Sequence, residues 1–365
     1  MRRSNSPNSD LPAVPGILTP EQSRQTAGAI ADMQEPSGAI PWFPGGHTDP
    51  WDHIESAMAL SACGLLDQSE VAFDWSRRTQ RADGSWPMQF RGSTVENQDS
   101  DSNFCAYLAV GVWHRYLICG SRDFVASMWP TIRAAIDFVL TMQAAGGEIY
   151  WGSGLGGAVP EALLTGSSSI HHSLRCALML AEVVGERQLD WEVALFQLGH
   201  ALRNHPESFA PKPEFSMDWY YPVLGGALRG APARARLDER WDDFVVEGLG
   251  IRCVDHRPWV TGAETCELVL ALDALGMRPQ AHELFAAVQH LRDPDGAYWT
   301  GLVYTDGKRW PVEKSSWTSA AVILAADALS GGTPGAGVFR DAAVPADQLG
   351  ADRCGEHCYA SGSPV

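Results

Sequence analysis

The sequence predicts an all-α fold, in which six helical hairpins form a ring, a single-domain α/α toroid. Two observations predict it. A short turn containing Gly and Trp recurs along the chain, and each copy lies between two stretches whose apolar residues recur every three or four positions, as on one face of an α-helix. Recurrence of such a unit is the signature of stacked helical hairpins, and six hairpins account for twelve helices.

The recurring turn has Gln, Gly, Ile and Trp at the same offsets in its two longest copies, at residues 34–42 and 143–151. Shorter variants occupy residues 80–86 and 292–299. Each turn follows one helical stretch and precedes an apolar stretch with a polar cap. The repeating unit is therefore helix, loop, helix.

Each hairpin has a first helix with charged residues on one face and a second helix that is apolar on most faces. The first helices are predicted at 20–33, 68–79, 124–142, 191–204, 233–245 and 279–291. The second helices are predicted at 51–65, 101–119, 168–184, 218–228, 264–275 and 316–329. A helix that is apolar all round is buried, so we expect the second helices to line the axis and the first helices to surround them.

The two ends of the chain are rich in Gly, Pro, Ser and Asp. We expect residues 1–18 to form a flexible N-terminal segment, residues 19–330 the toroid, and residues 331–365 a loosely ordered tail. In the tail, Cys354, His357 and Cys358 offer only three possible ligands, so no metal site is predicted there.

Composition and charge exclude several function classes. The 365 residues carry a net charge of −17, and an acidic surface repels phosphate backbones and anionic lipids, so no nucleic acid partner is expected. No apolar run approaches the roughly 20 residues of a membrane-spanning helix, so no stable membrane insertion is expected. The N-terminus lacks the apolar region of a secretory signal, which predicts a cytoplasmic protein.

The second helices all begin beside a carboxylate, and most of these acids have an aromatic neighbour. Capping explains an acid at a helix N-terminus. It does not explain the aromatic residues, nor Glu55 one turn inside an apolar helix, where an unpaired carboxylate is costly. An axial cleft lined by acids and aromatic rings explains both. The candidate residues are Trp42, Asp52, Glu55, Asp99, Asp101, Glu161, His171, His172, Asp218, Tyr221, Glu264, Trp299, Glu313 and Trp317.

Such a cleft suits sugars, whose rings stack on Trp and whose hydroxyls bond carboxylates. Glycoside hydrolysis also needs two carboxyl groups across the scissile bond, one protonated and one ionised. The sequence therefore predicts a carbohydrate-active enzyme that acts on a small molecule, an oligosaccharide or a glycolipid and needs no cofactor. A non-catalytic glycan-binding or other toroid protein is an alternative. We expect Asp52, Asp101, His171 and Glu264 to hold hydroxyls, with Trp42, Trp299 and Trp317 as stacking walls.

The hairpins and these acids resemble the glucoamylase-like glycoside hydrolases, which are six-hairpin toroids and inverting enzymes. In that family the general acid lies between the fifth and sixth helices and the general base lies just before the twelfth. Glu161, followed ten residues later by His171, and Glu313, followed by Trp317, occupy those two places. The resemblance implies that Glu161 protonates the glycosidic oxygen while Glu313 activates water.

The repeat, with the segment 80–86, also resembles that of the terpenoid cyclases and protein prenyltransferases. Class II terpenoid cyclases protonate their substrate with an Asp-x-Asp-Asp motif, and the nearest segment here is Asp99-Ser-Asp101-Ser102, which lacks the last acid. This resemblance implies an alternative, an isoprenoid-processing enzyme with Asp101 as proton donor and Mg²⁺ for the diphosphate of its substrate.

Overall fold

A computed structural model describes residues 11–340 of the chain. Residues 1–10 and 341–365, including the predicted tail run at Cys354, His357 and Cys358, lie outside the described residues. Val14 and Leu18 before the first helix, and Val338 and Phe339 after the last, are buried in the hydrophobic core. Parts of both predicted flexible ends therefore pack onto the helices, and the domain boundaries at 18 and 330 stay predictions.

Each of the twelve predicted helical stretches contains a helix, and three of them are broken into two shorter pieces. In chain order the α-helices are α1 (Pro20–Met33), α2 (Pro50–Ala62), α3 (Leu66–Thr79), α4 (Ser102–Ala106), α5 (Leu108–Cys119), α6 (Arg122–Leu140), α7 (Leu164–Val184), α8 (Leu189–Asn204), α9 (Ser216–Leu224), α10 (Gly230–Glu239), α11 (Trp241–Phe244), α12 (Gly262–Ala274), α13 (Arg278–Ala287) and α14 (Ser316–Ser330). A 3₁₀ turn, Val288–Leu291, continues α13.

Six of these helices pack in a closed circuit. Helix α2 contacts α5, which contacts α7, and the series continues through α9, α12 and α14 back to α2. Helices α12 and α14 are buried over almost their whole length, as expected of helices that are apolar on every face. The helices α1, α3, α6, α8, α10 and α13 each pack against one or two members of the circuit.

The recurring Gln has two partners of the same kind in each of the three copies that contain it, at Gln34, Gln80 and Gln143. Its side-chain Nε2 donates to the carbonyl of the Gly four residues later and to a backbone carbonyl of a following helix. For Gln80 these partners are Gly84 at 2.9 Å and Thr131 at 2.8 Å. Gln34 bonds Gly38 and Gln68, and Gln143 bonds Gly147 and Ala194. The Gln therefore ties its turn to the next hairpin.

The recurring Gly is required because another backbone lies against it. Gly84 has φ +92°, and a Cβ at this position would lie 2.1 Å from the carbonyl oxygen of Ala134 on α6. In the last copy of the turn, Gly296 lies in the same way against Gln25 of α1, so this copy joins the end of the chain to its beginning.

The prediction of an all-α fold is wrong in one respect, since short antiparallel strands occur in the loops. They are β1 (Gln89–Arg91), β2 (Thr94–Asn97), β3 (Ser100–Asp101), β4 (Gly152–Gly154), β5 (Gly157–Ala158), β6 (Val245–Val246), β7 (Gly250–Arg252), β8 (Trp259–Thr261), β9 (Gly301–Val303) and β10 (Lys308–Arg309). β1 pairs with β2, β3 to β5 form one sheet, and β6 to β10 form another in the order β10-β9-β8-β7-β6. Strands β3 and β8 lead directly into α4 and α12, so these sheets position the helix starts.

Candidate active site

Asp101, one of the predicted acids, and Asp49 each cap a helix. The Asp101 side chain accepts the backbone N–H groups of Asn103 and Phe104, at 2.8 and 3.1 Å, at the start of α4. Asp49 does the same at the start of α2. Both capping bonds of Asp101 go to a single carboxyl oxygen, Oδ1, which leaves Oδ2 for a proton or a ligand.

A row of three indole rings, Trp42, Trp317 and Trp51, crosses the starts of α2 and α14. The ring centroids of Trp42 and Trp317 lie 5.5 Å apart, and those of Trp317 and Trp51 lie 6.3 Å apart. The Trp51 ring continues the contacts to Tyr107 and Tyr221, with centroids at 5.7 and 5.9 Å. We call the three indoles the indole row.

Glu313 is attached to one end of the indole row. Its Oε1 accepts the indole N–H of Trp42 at 2.5 Å, and the carboxyl group is half-buried. Its neighbour Lys314 donates to Asp293 at 3.0 Å and lies over the ring of Trp299, whose own N–H also bonds Asp293. Trp299 is therefore held beside the Glu313 segment by an ion-pair network rather than by the indole row.

Glu55, which lies near Trp317, and Asp52, which follows Trp51 in the chain, are buried. Burial raises the pKa of Glu55 from 4.5 to about 8, an effect that the nearby Trp317 side chain partly offsets. Glu55 Oε2 and Trp317 Nε1 have no hydrogen-bond partner among residues 11–340. Burial also raises the pKa of Asp52, and the neighbouring Asp49 carboxylate adds to the rise. Both carboxyl groups are therefore in the protonated form over a wide pH range.

Glu264 and Glu267 enter the same region from α12. The hydroxyls of Tyr220 and Tyr221 donate to the two carboxyl oxygens of Glu267, the second at 2.6 Å. Burial raises the pKa of Glu267, and the nearby Glu55 raises it further. Burial likewise raises the pKa of Glu264. The predicted residues Asp52, Glu55, Tyr221, Glu264 and Trp317 thus lie in one buried cluster of carboxyl groups and aromatic rings.

Asp101 lines a cavity of about 110 Å³ at the starts of α4 and α7. Trp51 of the indole row, Phe104 and Trp151 form its aromatic walls, and its polar lining includes Asn103. Burial raises the pKa of Asp101 to about 7, although its two capping N–H groups act in the opposite direction. At neutral pH a large fraction of Asp101 therefore carries a proton.

Asp218, Asp99 and Glu161 are the remaining predicted acids. Asp218 accepts the hydroxyl of Thr165 at 2.6 Å and lines a neighbouring cavity of about 220 Å³. Asp99 is exposed beside Gly154 of β4. The side chain of Glu161 is also exposed, and its backbone carbonyl accepts the N–H of Trp151 at 2.9 Å. The roles of all three in substrate binding or chemistry stay predictions.

His171 and His172 are buried midway along α7. Nδ1 of His171 lies 2.9 Å from the carbonyl of Gly225, which follows α9, and burial lowers the pKa of His171 to about 3. The His172 ring stacks on Phe339, which follows α14, and burial lowers its pKa as well. Both imidazoles are neutral, and these contacts lie beyond the C-terminal ends of α9 and α14 rather than at helix starts. Their predicted role in substrate binding stays a prediction.

Asn103 and Trp151 were not among the predicted site residues. A signal for Trp151 was available, because it occupies the same offset in the second copy of the repeat as Trp42 does in the first. Asn103 follows the capping Asp101 by two residues and looks like an ordinary first-turn residue.

In residues 11–340 no group of three His, Cys, Asp or Glu side chains is placed to hold a metal ion. No helix in that range is long and apolar enough to cross a membrane.

Glycoside hydrolysis uses a pair of carboxyl groups, so a site with several carboxyl groups beside indole rings is compatible with that class of enzyme. The chain is 66% identical, over 335 residues, to the MMP endo-(1,4)-3-O-methyl-alpha-D-mannosidase of Mycolicibacterium hassiacum. The alignment covers 92% of this chain and 93% of that protein. The chain therefore belongs to the family of this mannosidase, a family of glycoside hydrolases. No protein-family model matches the sequence.

Solved structures with much lower sequence identity share the fold. A wild-type glycosidase superposes with a TM-score of 0.66 at 16% identity, over 85% of this chain and 96% of that one. A D-mannose isomerase superposes with a TM-score of 0.60 at 12% identity, over 84% and 95% of the two chains. Because a glycosidase and an isomerase share this fold, the fold alone does not define the reaction.

Proposed function

We propose that the chain is an endo-acting glycoside hydrolase that cleaves an α-(1,4) bond within an oligosaccharide of 3-O-methylated mannose. The observation that carries this proposal is the 66% identity, over nearly the full length of both chains, to a mannosidase with that named activity. The indole row supports it, because apolar aromatic faces suit both sugar rings and methyl ethers. The cytoplasmic location expected from the sequence belongs to the same proposal.

We further propose that the closed helix circuit is the inner ring of an α/α toroid. Three observations support this proposal. The six most apolar predicted helices form the circuit, the amphipathic helices pack against it, and the last turn docks on α1. In this arrangement the starts of α2, α4, α7 and α14 share one mouth. The substrate then lies across that mouth, along the indole row.

Hydrolysis follows a single displacement in this proposal. Water attacks the anomeric carbon while the bond to the leaving oxygen breaks. Glu313 takes a proton from the water, and the Trp42 N–H holds the Glu313 carboxylate towards the indole row. Asp101 gives its proton to the leaving oxygen. This role for Asp101 is supported by its pKa of about 7, its place in the cavity lining and an Oδ2 that takes no part in the helix cap.

Glu161 is the other candidate for the general acid, through its position in the glucoamylase-like pattern. Its exposed side chain gives it less support than Asp101 has. Asp52, Glu55, Tyr221 and Glu264 belong to the buried cluster and hold the substrate or the indole row in place. The relationship to a mannosidase favours a sugar substrate over the isoprenoid alternative. Mg²⁺ was expected only for the diphosphate of an isoprenoid, so it is not part of this proposal.

The test is hydrolysis of a 3-O-methylmannose oligosaccharide by the purified chain. We expect shorter oligosaccharides by mass spectrometry, with inverted anomeric configuration in the first NMR spectra after mixing. D101N and E313Q are expected to lose turnover and to keep the wild-type circular dichroism spectrum. Wild-type protein that releases no product would overturn the proposed function. Retained configuration would overturn the single displacement alone.

A further inference from the structure

The cavity beside Asp101 contains unsatisfied polar atoms that point to a ligand. Asn103 is only 4% exposed, and its side-chain Oδ1 has no hydrogen-bond partner among residues 11–340. The indole Nε1 of Trp51, on the wall of the same cavity, is also buried without a partner there. A buried acceptor left without a donor is unfavourable, so a ligand that donates to Asn103 recovers this free energy on binding.

Much of the rest of the lining is apolar, with aromatic rings and the aliphatic side chains of Ile149 and Leu163. Trp51, Phe104 and Trp151 surround the space, with the hydroxyl-bearing side chains of Thr165 and Ser167 at one edge. A volume of about 110 Å³ is several times the roughly 10–15 Å³ that a single water needs. The cavity therefore has room for part of a sugar ring with its substituents.

We propose that this cavity is the subsite that selects a 3-O-methylated mannose unit beside the scissile bond. The proposal rests on the proposed function and names the residues that determine its specificity. Asn103 accepts a hydrogen bond from a free hydroxyl of the sugar, since a methyl ether has no proton to donate. The methyl group lies against the indole faces of Trp51 and Trp151. An unmethylated sugar keeps the bond to Asn103 and loses the apolar contact.

Substitution of Asn103 and substitution of Trp151 are expected to have different effects on the kinetics. Asn103 serves both methylated and unmethylated sugars, so N103A is expected to lower kcat/KM about tenfold or more on both substrates, mainly through KM. Trp151 serves the methyl group, and one methyl in an apolar pocket is worth about 10–200-fold in discrimination. W151A is therefore expected to reduce the preference for the methylated substrate to near unity.

The experiment measures kcat and KM of the wild type, N103A and W151A on two oligosaccharides, α-(1,4)-linked mannose with and without 3-O-methyl groups. The matched control is N204A, because Asn204 lies at the end of α8 and bonds only to nearby His200 in the contacts described. It should behave as the wild type. If W151A does not fold by circular dichroism, W151L tests the same contact with a smaller change in volume.

Each outcome is decisive. Loss of the preference in W151A, together with a raised KM in N103A on both substrates, supports the subsite. A wild type that cleaves the methylated oligosaccharide, while both variants keep its KM and its preference, overturns the subsite and leaves the proposed function standing. A wild type that cleaves neither oligosaccharide overturns both.

Discussion

Trp42 donates its indole N–H to Glu313 at 2.5 Å, across 271 residues of sequence. The bond joins the turn of the first hairpin to the segment that precedes the last helix of the circuit. It also places a carboxylate at one end of the indole row, while Asp101 shares a cavity with Trp51 at the other end. The indole row thus adjoins both of the groups that we propose as base and acid.

We predict that E313Q lowers kcat on a methylmannose oligosaccharide by about 10²–10⁴-fold, the usual contribution of a general base. The fold should survive, because the glutamine carbonyl still accepts the Trp42 N–H. W42F, which removes that donor and keeps an aromatic ring, should give a smaller loss. Stopped assays with product separation measure both. Turnover of E313Q within twofold of wild type would exclude Glu313 as the base.

The proposed role of Asp101 as general acid predicts a descending limb at high pH in the profile of kcat/KM against pH. Its carboxyl group must be protonated to act, and its pKa is raised to about 7, so kcat/KM of the free enzyme should fall as the pH rises above 7. D101N should lose this limb together with most of its activity. A substrate whose leaving group is an acidic phenol needs no proton, and D101N should cleave it at a rate near that of the wild type.

The same assay separates the two candidates for the acid. If Glu161 were the proton donor, E161Q rather than D101N would show rescue by the phenol substrate. If Asp101 is the donor, E161Q should keep the descending limb near pH 7. A wild-type profile that is flat from pH 6 to 9 would contradict the role of Asp101.

Helix positions could be predicted from the sequence because apolar residues recur every three or four positions over a dozen residues or more. α1 has the same bounds in the prediction and in the structure, Pro20–Met33. The strands could not be predicted, since two to four residues are too few to show an alternating pattern. They form because extended loops before the helices lie side by side and pair their backbone groups.

The site could be predicted only in part. Acids at helix starts were visible in the sequence, whereas the direction of each side chain depends on packing between distant hairpins. His171 and His172 illustrate the limit, because their contacts with Gly225 and Phe339 come from segments far along the chain. Asn103 shows the reverse case. It looks ordinary in the sequence, and only the structure places it in a cavity beside Trp51.

Glu55 predicts a pH-dependent stability. Its folded pKa of about 8 lies above its usual value of 4.5, so the folded state binds the proton more tightly than the unfolded state. The stability from this group is complete below about pH 4.5 and is lost as the pH rises through 8. E55Q does not titrate, so its melting temperature relative to wild type should rise by several degrees between pH 5 and pH 9.

Thermal unfolding at pH 5, 7 and 9 measures this difference. E161Q is the matched control, because it makes the same chemical change at an exposed carboxylate, and its difference from wild type should stay nearly constant. If the melting-temperature difference between E55Q and wild type were also constant with pH, ionisation of Glu55 would not destabilise the folded state. This result would contradict the raised pKa of Glu55. Glu55 also raises the pKa of Asp52 and of Glu267, so its removal in E55Q lowers both pKa values, which acts in the same direction.

We predict that alanine at Gly84, in the repeat turn, destabilises the fold more than alanine at Gly92, although both glycines have positive φ. In G84A the new Cβ would lie 2.1 Å from the Ala134 carbonyl oxygen, so α6 must move away from the turn. In the control G92A, φ is +55° and no atom lies within 4 Å of the added Cβ, so only the backbone penalty of roughly 1–2 kcal/mol applies. Urea denaturation should show a clearly larger loss for G84A. Equal losses of stability in the two variants would mean that the turn does not dock on α6 as closely as described. The Gln80 bonds to Gly84 and Thr131 would then not hold the second hairpin to the third.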